Sequence, residues 1–102
     1  MDFFCYKKLL ENEGAKSYLT KPYGLELLFV LAQFESDNAD NGIKDTYEAL
    51  SYFKPRRAAF SKHIQNLHAS GHIIKIISKK KASKSVLRIS ADVAKAFIKF
   101  NE

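Results

Sequence analysis

Most apolar residues of this chain recur three or four positions apart, which is the spacing of an α-helix with one buried face. The clearest case is the stretch KPRRAAFSKHIQNLHASG, residues 54–71. Its apolar stripe consists of Phe60, Ile64 and Leu67. Pro55 suits the first turn of a helix, and Gly71 suits the left-handed position just after a helix end. The pattern therefore predicts a helix over residues 55–70 whose outer side is basic and built of small residues.

Two longer apolar segments precede this stretch. Residues 2–12 predict a first helix that Asp2 can cap, followed by a break at residues 13–16. A second helix is predicted over residues 20–34; it is apolar nearly all round from residue 23 to residue 34, so we expect the central core helix there. Residues 36–42 then predict a loop, because Ser, Asp, Asn and Gly favour turns.

A shorter pattern leads into the basic helix. Residues 43–44 can form a short strand, and residues 46–53 predict a short helix. The inward residues of that short helix are Tyr47, Leu50 and Phe53. Two helices joined by a very short turn, with basic residues on the second, form a helix-turn-helix arrangement.

The period changes after residue 71. Residues 72–78 and 86–90 are β-branched runs typical of strands. Residues 79–85 between them hold four lysines and no apolar residue larger than alanine, so we expect a β-hairpin with a positively charged loop. Ser90 can cap a last helix. The apolar face of that helix contains Val93, Phe97 and Phe100, with Ala94 and Ile98 beside them.

The predicted order is α-α-β-α-α-β-β-α, an α+β chain that is mainly α. Its 102 residues are enough for one domain with one modest core. No apolar run reaches the length of a membrane span, and the N-terminal residues do not resemble a secretory signal. The single cysteine, Cys5, makes no internal disulfide and fits a reducing cytosol. We therefore expect a cytoplasmic protein.

The net charge of +6 is unevenly distributed. Residues 1–50 hold five Lys/Arg against nine Asp/Glu, a net charge of −4, whereas residues 51–102 hold twelve against two, a net charge of +10. This polarity favours a polyanion binder with a positive field on one part of its surface. The acids of the first half are expected to lie away from that surface. Charge alone leaves open a basic domain with no polyanion partner.

The basic helix has the chemistry of a DNA-reading helix. Arg56 and Arg57 stand at a helix N-terminus, which attracts phosphate, and either can contact guanine through two hydrogen bonds. Small residues, Ala58 and Ala59, permit close approach to a groove. Hydrogen-bonding groups follow at Ser61, Lys62, Gln65 and Asn66. The candidate DNA-binding residues are Arg56, Arg57, Ala59, Ser61, Lys62, Asn66, Lys79, Lys80, Lys81, Lys84 and Arg88.

Three histidines are the other candidates for chemistry: His63, His68 and His72. The predicted helix ends at Gly71 between the last two, and no cysteine or carboxylate lies close by in sequence to complete a zinc site. A surface or groove-facing position is expected for them. No nucleophile–base set, glycine-rich phosphate loop or paired-carboxylate signature is present. We therefore predict no enzyme activity, no cofactor and no metal.

Three segments carry a resemblance to a known family: residues 56–73, the basic loop, and residues 87–97. They resemble a winged helix-turn-helix transcriptional regulator of the MarR-like kind. In that family the recognition helix ends in a leucine, two or three polar residues, a glycine and an apolar residue. The matching residues here are Leu67, His68, Ala69, Ser70, Gly71 and Ile73. The basic loop, residues 79–85, corresponds to the wing of that fold and lacks the pair of an acidic residue and an arginine that is common in that family.

The resemblance implies sequence-specific binding of double-stranded DNA, with helix 55–70 in the major groove and the wing, residues 79–85, on the backbone or minor groove. Residues 20–90 would form the winged core. Residues 1–19 and 91–102 would add helices whose apolar surfaces suit a homodimer. A small-molecule effector is neither indicated nor excluded. The alternatives are a protein-interaction adaptor that keeps the fold without binding DNA and an RNA-binding module, which the apparent lack of an exposed aromatic platform disfavours.

Overall fold

The computed structural model describes the backbone of residues 3–101 and the side chains of residues 6–99. The predicted cap Asp2 and the predicted core side chain of Phe100 lie outside these limits. The elements in chain order are α1 (Phe3–Leu10), α2 (Glu13–Leu19), α3 (Gly24–Ser36), α4 (Ile43–Ala49), α5 (Arg57–Ala69), β1 (Ile73–Ile77), β2 (Ser85–Ile89) and α6 (Ala91–Asn101). The described part of the chain is therefore α+β and mainly helical, as predicted.

The core is built around α3, as the nearly all-apolar sequence predicts. Leu27, Leu28 and Leu31 of this helix are completely buried. The predicted stripe of α5 is also confirmed, because Phe60, Ile64 and Leu67 are all buried. Further buried apolar side chains come from α1, α2, both strands and α6: Leu9, Tyr18, Ile73, Leu87, Val93 and Phe97. Burying each such apolar side chain stabilises the fold by about 1.5–3 kcal/mol.

The predicted break at residues 13–16 is wrong, because this segment begins α2. Asn12 caps the helix, and its Oδ1 accepts a hydrogen bond of 2.9 Å from the backbone N–H of Ala15. Gly14, whose presence suggests a break, instead permits close helix packing. A Cβ built there would lie 2.3 Å from Cγ2 of Val93 on α6. Helix α3 starts four residues later than predicted, at Gly24.

The short strand predicted at residues 43–44 is also wrong, because α4 begins at Ile43. The Asp45 carboxylate accepts a 3.0 Å hydrogen bond from the N–H of Gly42 and so fixes the helix start. The outer edge of β2 is instead contacted by Asn41, two residues before α4. The backbone N–H of Leu87 donates to the backbone carbonyl of Asn41 at 3.0 Å, and the side-chain amide of Asn41 donates to the backbone carbonyl of Leu87 at 3.3 Å. Residues 39–42 thus take the place of the predicted strand.

Helix α4 ends at Ala49 rather than at the predicted residue 53. Leu50 is buried and Tyr47 is partly buried, as predicted, but Phe53 is 76% exposed and has a φ of +48°. Glu26 of α3 explains the early ending. Its two carboxylate oxygens accept hydrogen bonds of 2.9 Å from the backbone N–H groups of Ser51 and Tyr52, which turns the chain out of the helix.

The predicted hairpin is confirmed, with β1 and β2 antiparallel from the pair Ile73–Ile89 to the pair Ile77–Ser85. The backbone N–H groups of Ser78 and Ser90 donate to the carbonyls of Lys84 and His72. The backbone groups of His72 and Ser78, which flank β1, therefore point toward the partner strand. By alternation, Ile73, Lys75 and Ile77 direct their N–H and C=O groups away from β2. Among the described residues no strand pairs with that outer edge of β1.

The start of α6 differs in chemistry from the prediction. Ser90 precedes the helix and its carbonyl accepts from the N–H of Ala94, but its buried hydroxyl has no hydrogen-bond partner. The predicted side-chain cap is therefore wrong. Val93 and Phe97 are buried as predicted, whereas Ile98 is 62% exposed. No helix in residues 3–101 combines the length and apolar character needed to cross a membrane.

Candidate nucleic-acid interface

The entry to α5 is fixed by its neighbours. Arg56 is the N-cap in an extended conformation, and its carbonyl accepts a 3.0 Å hydrogen bond from the N–H of Phe60. The Tyr47 hydroxyl donates to the carbonyl of Pro55 at 2.7 Å, which places Pro55 before the helix rather than in its first turn. Arg56 and Arg57 are exposed and have no acidic partner within the described part of the chain. Their charges are therefore open to an external anion.

The exposed face of α5 is a ridge of four residues. His63 joins Phe60, Ile64 and Leu67 on the buried face, so the opposite face is set by the helical repeat. That ridge consists of Ala58, Lys62, Gln65 and Ala69, all of them exposed. Of the predicted residues, Lys62 lies on it, while Ala59 and Asn66 flank it on one side and Arg57 and Ser61 on the other. Ala58, at the start of the ridge, and Gln65, near its middle, also belong to it, although they are not among the candidates chosen from the sequence.

A small hollow between α4 and α5 adds a cation to this surface. It has a volume of about 40 Å³ and is lined by Ile43, Lys44, Tyr47, Arg57, Phe60 and Ser61. The side chain of Lys44 is exposed beside Arg57. The strand predicted at residues 43–44 gives no reason to expect Lys44 beside Arg57, because Lys44 reaches the hollow from the first turn of α4.

The charged loop of the hairpin is an ordered turn. The Ser78 hydroxyl accepts hydrogen bonds from the N–H groups of Lys80 and Lys81 at 3.1 and 3.0 Å and donates to the Asp40 carboxylate. The N–H of Lys84 donates to the carbonyl of Lys81 at 2.9 Å. Lys79, Lys80 and Lys81 are exposed, as predicted. They are therefore presented on a backbone that is already folded.

Lys84 and Arg88 do not share that exposure. Lys84 forms an ion pair with Asp45 at 2.9 Å; this hydrogen bond lowers the pKa of Asp45 and raises that of Lys84. Arg88 is only 7% exposed. Its guanidinium donates to the Asn41 side chain and the Ala39 carbonyl, both at 2.6 Å, and to the Leu87 carbonyl at 3.0 Å. The prediction that Arg88 lies at a DNA-binding surface is therefore wrong. Strand alternation assigns this face of β2 to solvent, but residues 39–42 pack against Arg88 there.

Acidic residues of the first half lie beside the wing, contrary to the expectation from charge distribution. A groove of about 450 Å³ is lined by Phe34, Ala39, Asp40, Asn41, Asp45, Glu48, Lys80 and Lys84. Three carboxylates thus face two lysines there. The field of the wing is weakened on this side, so Lys79 and Lys81, which do not line the groove, carry most of its attraction for an anion.

His63 is a structural residue and not the surface residue expected from the sequence. It is 7% exposed. Its Nε2 lies 3.1 Å from the Ser17 carbonyl, which only accepts, so Nε2–H donates there and Nδ1 accepts from the Tyr23 hydroxyl at 2.7 Å. Burial lowers the pKa of His63 and raises the pKa of Tyr23 to about 12.

Among the side chains of residues 6–99 no three of the metal-binding types come together as a metal site would need. Comparisons with protein-family models, with curated proteins and with solved structures find no match to this chain. The surface that remains is the ridge of α5, the arginines at its start, Lys44, and the three exposed wing lysines.

Proposed function

We propose that this chain is a sequence-specific DNA-binding transcriptional regulator with a MarR-like winged helix-turn-helix fold. The observation that carries the proposal is the exposed side of α5, which holds Arg57, Lys62 and Gln65 between small residues. No acid occurs anywhere in this helix. A major groove about 12 Å wide admits an α-helix, and a face with cations, an amide and alanines suits it. The order of α4, α5, β1 and β2 supports the same fold.

The side chains divide by chemistry. Gln65 lies at the centre of the ridge and can bind an adenine through two hydrogen bonds, while Arg57 can do so with a guanine. Lys62 and Lys44 suit phosphates, as do the charge and N–H groups at the start of α5 near Arg56. Ala58 lets the backbone approach and can contact a thymine methyl group.

The wing supplies a second electrostatic contact. Lys79, Lys80 and Lys81 project from a turn that Ser78 organises, so little conformational entropy is lost when they bind. They would contact phosphates or an adjacent minor groove and contribute affinity more than sequence preference. Each phosphate neutralised adds about 0.9 to the dependence of log K on log salt concentration.

A homodimer in the cytoplasm completes the proposal. Phe29 of α3 is 41% exposed, and its ring packs against Phe97 with centroids 4.9 Å apart. Ile98 follows on α6 and is 62% exposed. This apolar surface supports self-association, which would present two copies of α5 to a palindromic site.

The proposal is tested by titrating labelled duplexes, one selected from random DNA for tight binding and one of random sequence, at several salt concentrations. Gln65→Ala should lower affinity for the selected duplex about tenfold and leave random DNA unaffected. Lys62→Ala should weaken both and reduce the salt dependence. Lys95→Ala, an exposed lysine of α6, is the matched control and should change neither.

Two results would contradict the proposal. Wild-type affinity in a triple variant lacking Arg57, Lys62 and Gln65 would remove α5 from the interface. No binding of any duplex at low salt would favour the protein-interaction adaptor.

A further inference from the structure

The turn between α4 and α5 exposes two adjacent aromatic side chains. We define the aromatic corner as residues 51–56. Within it Tyr52 is 70% exposed and Phe53 is 76% exposed. Single apolar side chains scattered over a surface are ordinary, whereas two neighbouring rings this open to water form a contiguous apolar patch of the kind that marks binding sites. Neither the inward position predicted for Phe53 nor the apparent lack of an aromatic platform agrees with the structure.

The aromatic corner is held in place by the rest of the fold. Glu26 accepts hydrogen bonds from the N–H groups of Ser51 and Tyr52, both at 2.9 Å. On its other side the Tyr47 hydroxyl binds the Pro55 carbonyl, and the Lys54 ammonium lies 4.7 Å from the centre of the Tyr47 ring. The two rings therefore project from a braced turn.

Phe53 occupies the left-handed region of backbone space, with a φ of +48°. A bulky residue with a Cβ is disfavoured there, and such conformations persist where the surroundings impose them, often at binding sites. The left-handed residue directs the Phe53 side chain out of the turn instead of continuing α4 toward the core. The strain thus coincides with the exposure of the ring.

Positive charge lies beside the two rings of the aromatic corner. Lys54, Arg56 and Arg57 follow the two rings directly and are exposed. The nearby carboxylate, Glu26, is engaged by backbone N–H groups. Rings beside unpaired guanidinium groups fit a polyanion that also offers flat apolar faces. Nucleic-acid bases have such faces, but in a duplex they are covered by their neighbours, so a single strand is the form that can use both.

We propose that the aromatic corner binds single-stranded nucleic acid, with bases stacked on Tyr52 and Phe53 and phosphates paired with Arg56 and Arg57. This activity is separate from major-groove binding by α5 and does not require it. The two activities share only the arginines at the start of the helix. If the wild-type chain bound single strands but no duplex, the function proposed above would be refuted and this proposal would stand.

The test uses a labelled short oligothymidine and follows its fluorescence anisotropy. The double variant Tyr52→Leu/Phe53→Leu keeps apolar bulk and removes both rings, so its affinity should fall about tenfold or more while duplex affinity is unchanged. The variant Tyr52→Phe/Phe53→Tyr keeps both rings and should bind like wild type. Circular dichroism of each variant checks that the fold is retained.

A second readout separates stacking from charge. The chain has no tryptophan, so Tyr52→Trp adds a single reporter whose emission oligothymidine should quench and heparin, a polyanion without bases, should not. Equal affinity of the double leucine variant and wild type would overturn the proposal, as would equal quenching by heparin. Loss of self-association or of vesicle binding in that variant, with single-strand affinity unchanged, would assign the aromatic corner to a protein or lipid partner instead.

Discussion

Replacing Arg88 by methionine should destabilise the fold by about 3 kcal/mol. The guanidinium donates two hydrogen bonds of 2.6 Å, to the Ala39 carbonyl and the Asn41 side chain. Hydrogen bonds to a charged group contribute about 1.5–3 kcal/mol each, and their loss leaves acceptors unsatisfied. The lower end of that range for two bonds gives about 3 kcal/mol, since methionine restores some apolar contact. For a chain of this size the melting temperature should fall by about 12–24 °C.

Thermal unfolding followed by circular dichroism measures this loss, with Lys95→Met as the matched control because Lys95 is exposed. Duplex affinity measured well below the melting temperature should equal that of wild type, since Arg88 lies beneath residues 39–42. An unchanged melting temperature would refute the claim that Arg88 anchors this segment. Full stability with lost DNA binding would return Arg88 to the interface.

Two further changes test the electrostatics. Because burial keeps the pKa of folded His63 below its unfolded value, the unfolded state binds more protons; stability is therefore full above about pH 6.5 and declines as the pH falls from there toward the folded pKa. Urea unfolding across this range should show the decline in wild type and a flatter profile in His63→Gln; equal profiles would contradict it. Asp45→Asn frees Lys84 and removes one carboxylate beside the wing, so duplex affinity and its salt dependence should both rise. Asp92→Asn, on α6, is the control, and equal salt slopes in both variants would exclude this role for Asp45.

The elements with long, regular patterns are those that sequence predicts well. Helices α3 and α5 and the hairpin follow from residue spacing, because their buried faces contain uninterrupted apolar repeats. The two elements that the pattern misses, α2 and the start of α4, depend on single capping side chains, Asn12 and Asp45. A cap has little effect on periodicity, so each of these segments is assigned to another structure.

The site residues that differ from prediction depend on contacts between distant parts of the chain. Phe53 is exposed because Glu26 of α3, which is distant in sequence, accepts hydrogen bonds from the turn that precedes Phe53. Arg88 is buried because residues 39–42 lie beside β2, where the Asn41 side chain and the Ala39 carbonyl accept hydrogen bonds from its guanidinium. Neither contact leaves a local signal in the sequence. Gln65 is different, since extending the helical repeat outward from Phe60, Ile64 and Leu67 locates it at the centre of the exposed ridge.

The charge of Lys75, at the centre of β1, opposes pairing of a second molecule along the open edge of this strand. Two molecules laid antiparallel along this edge, with all five residues of β1 overlapping, would place one Lys75 opposite the other at the centre of the pair. Like charges directly opposed destabilise paired strands, and an edge lysine is a common device against edge-to-edge aggregation. Lys75 thus protects the IIKII segment in concentrated solution. That protection weakens as added salt screens the two ammonium groups.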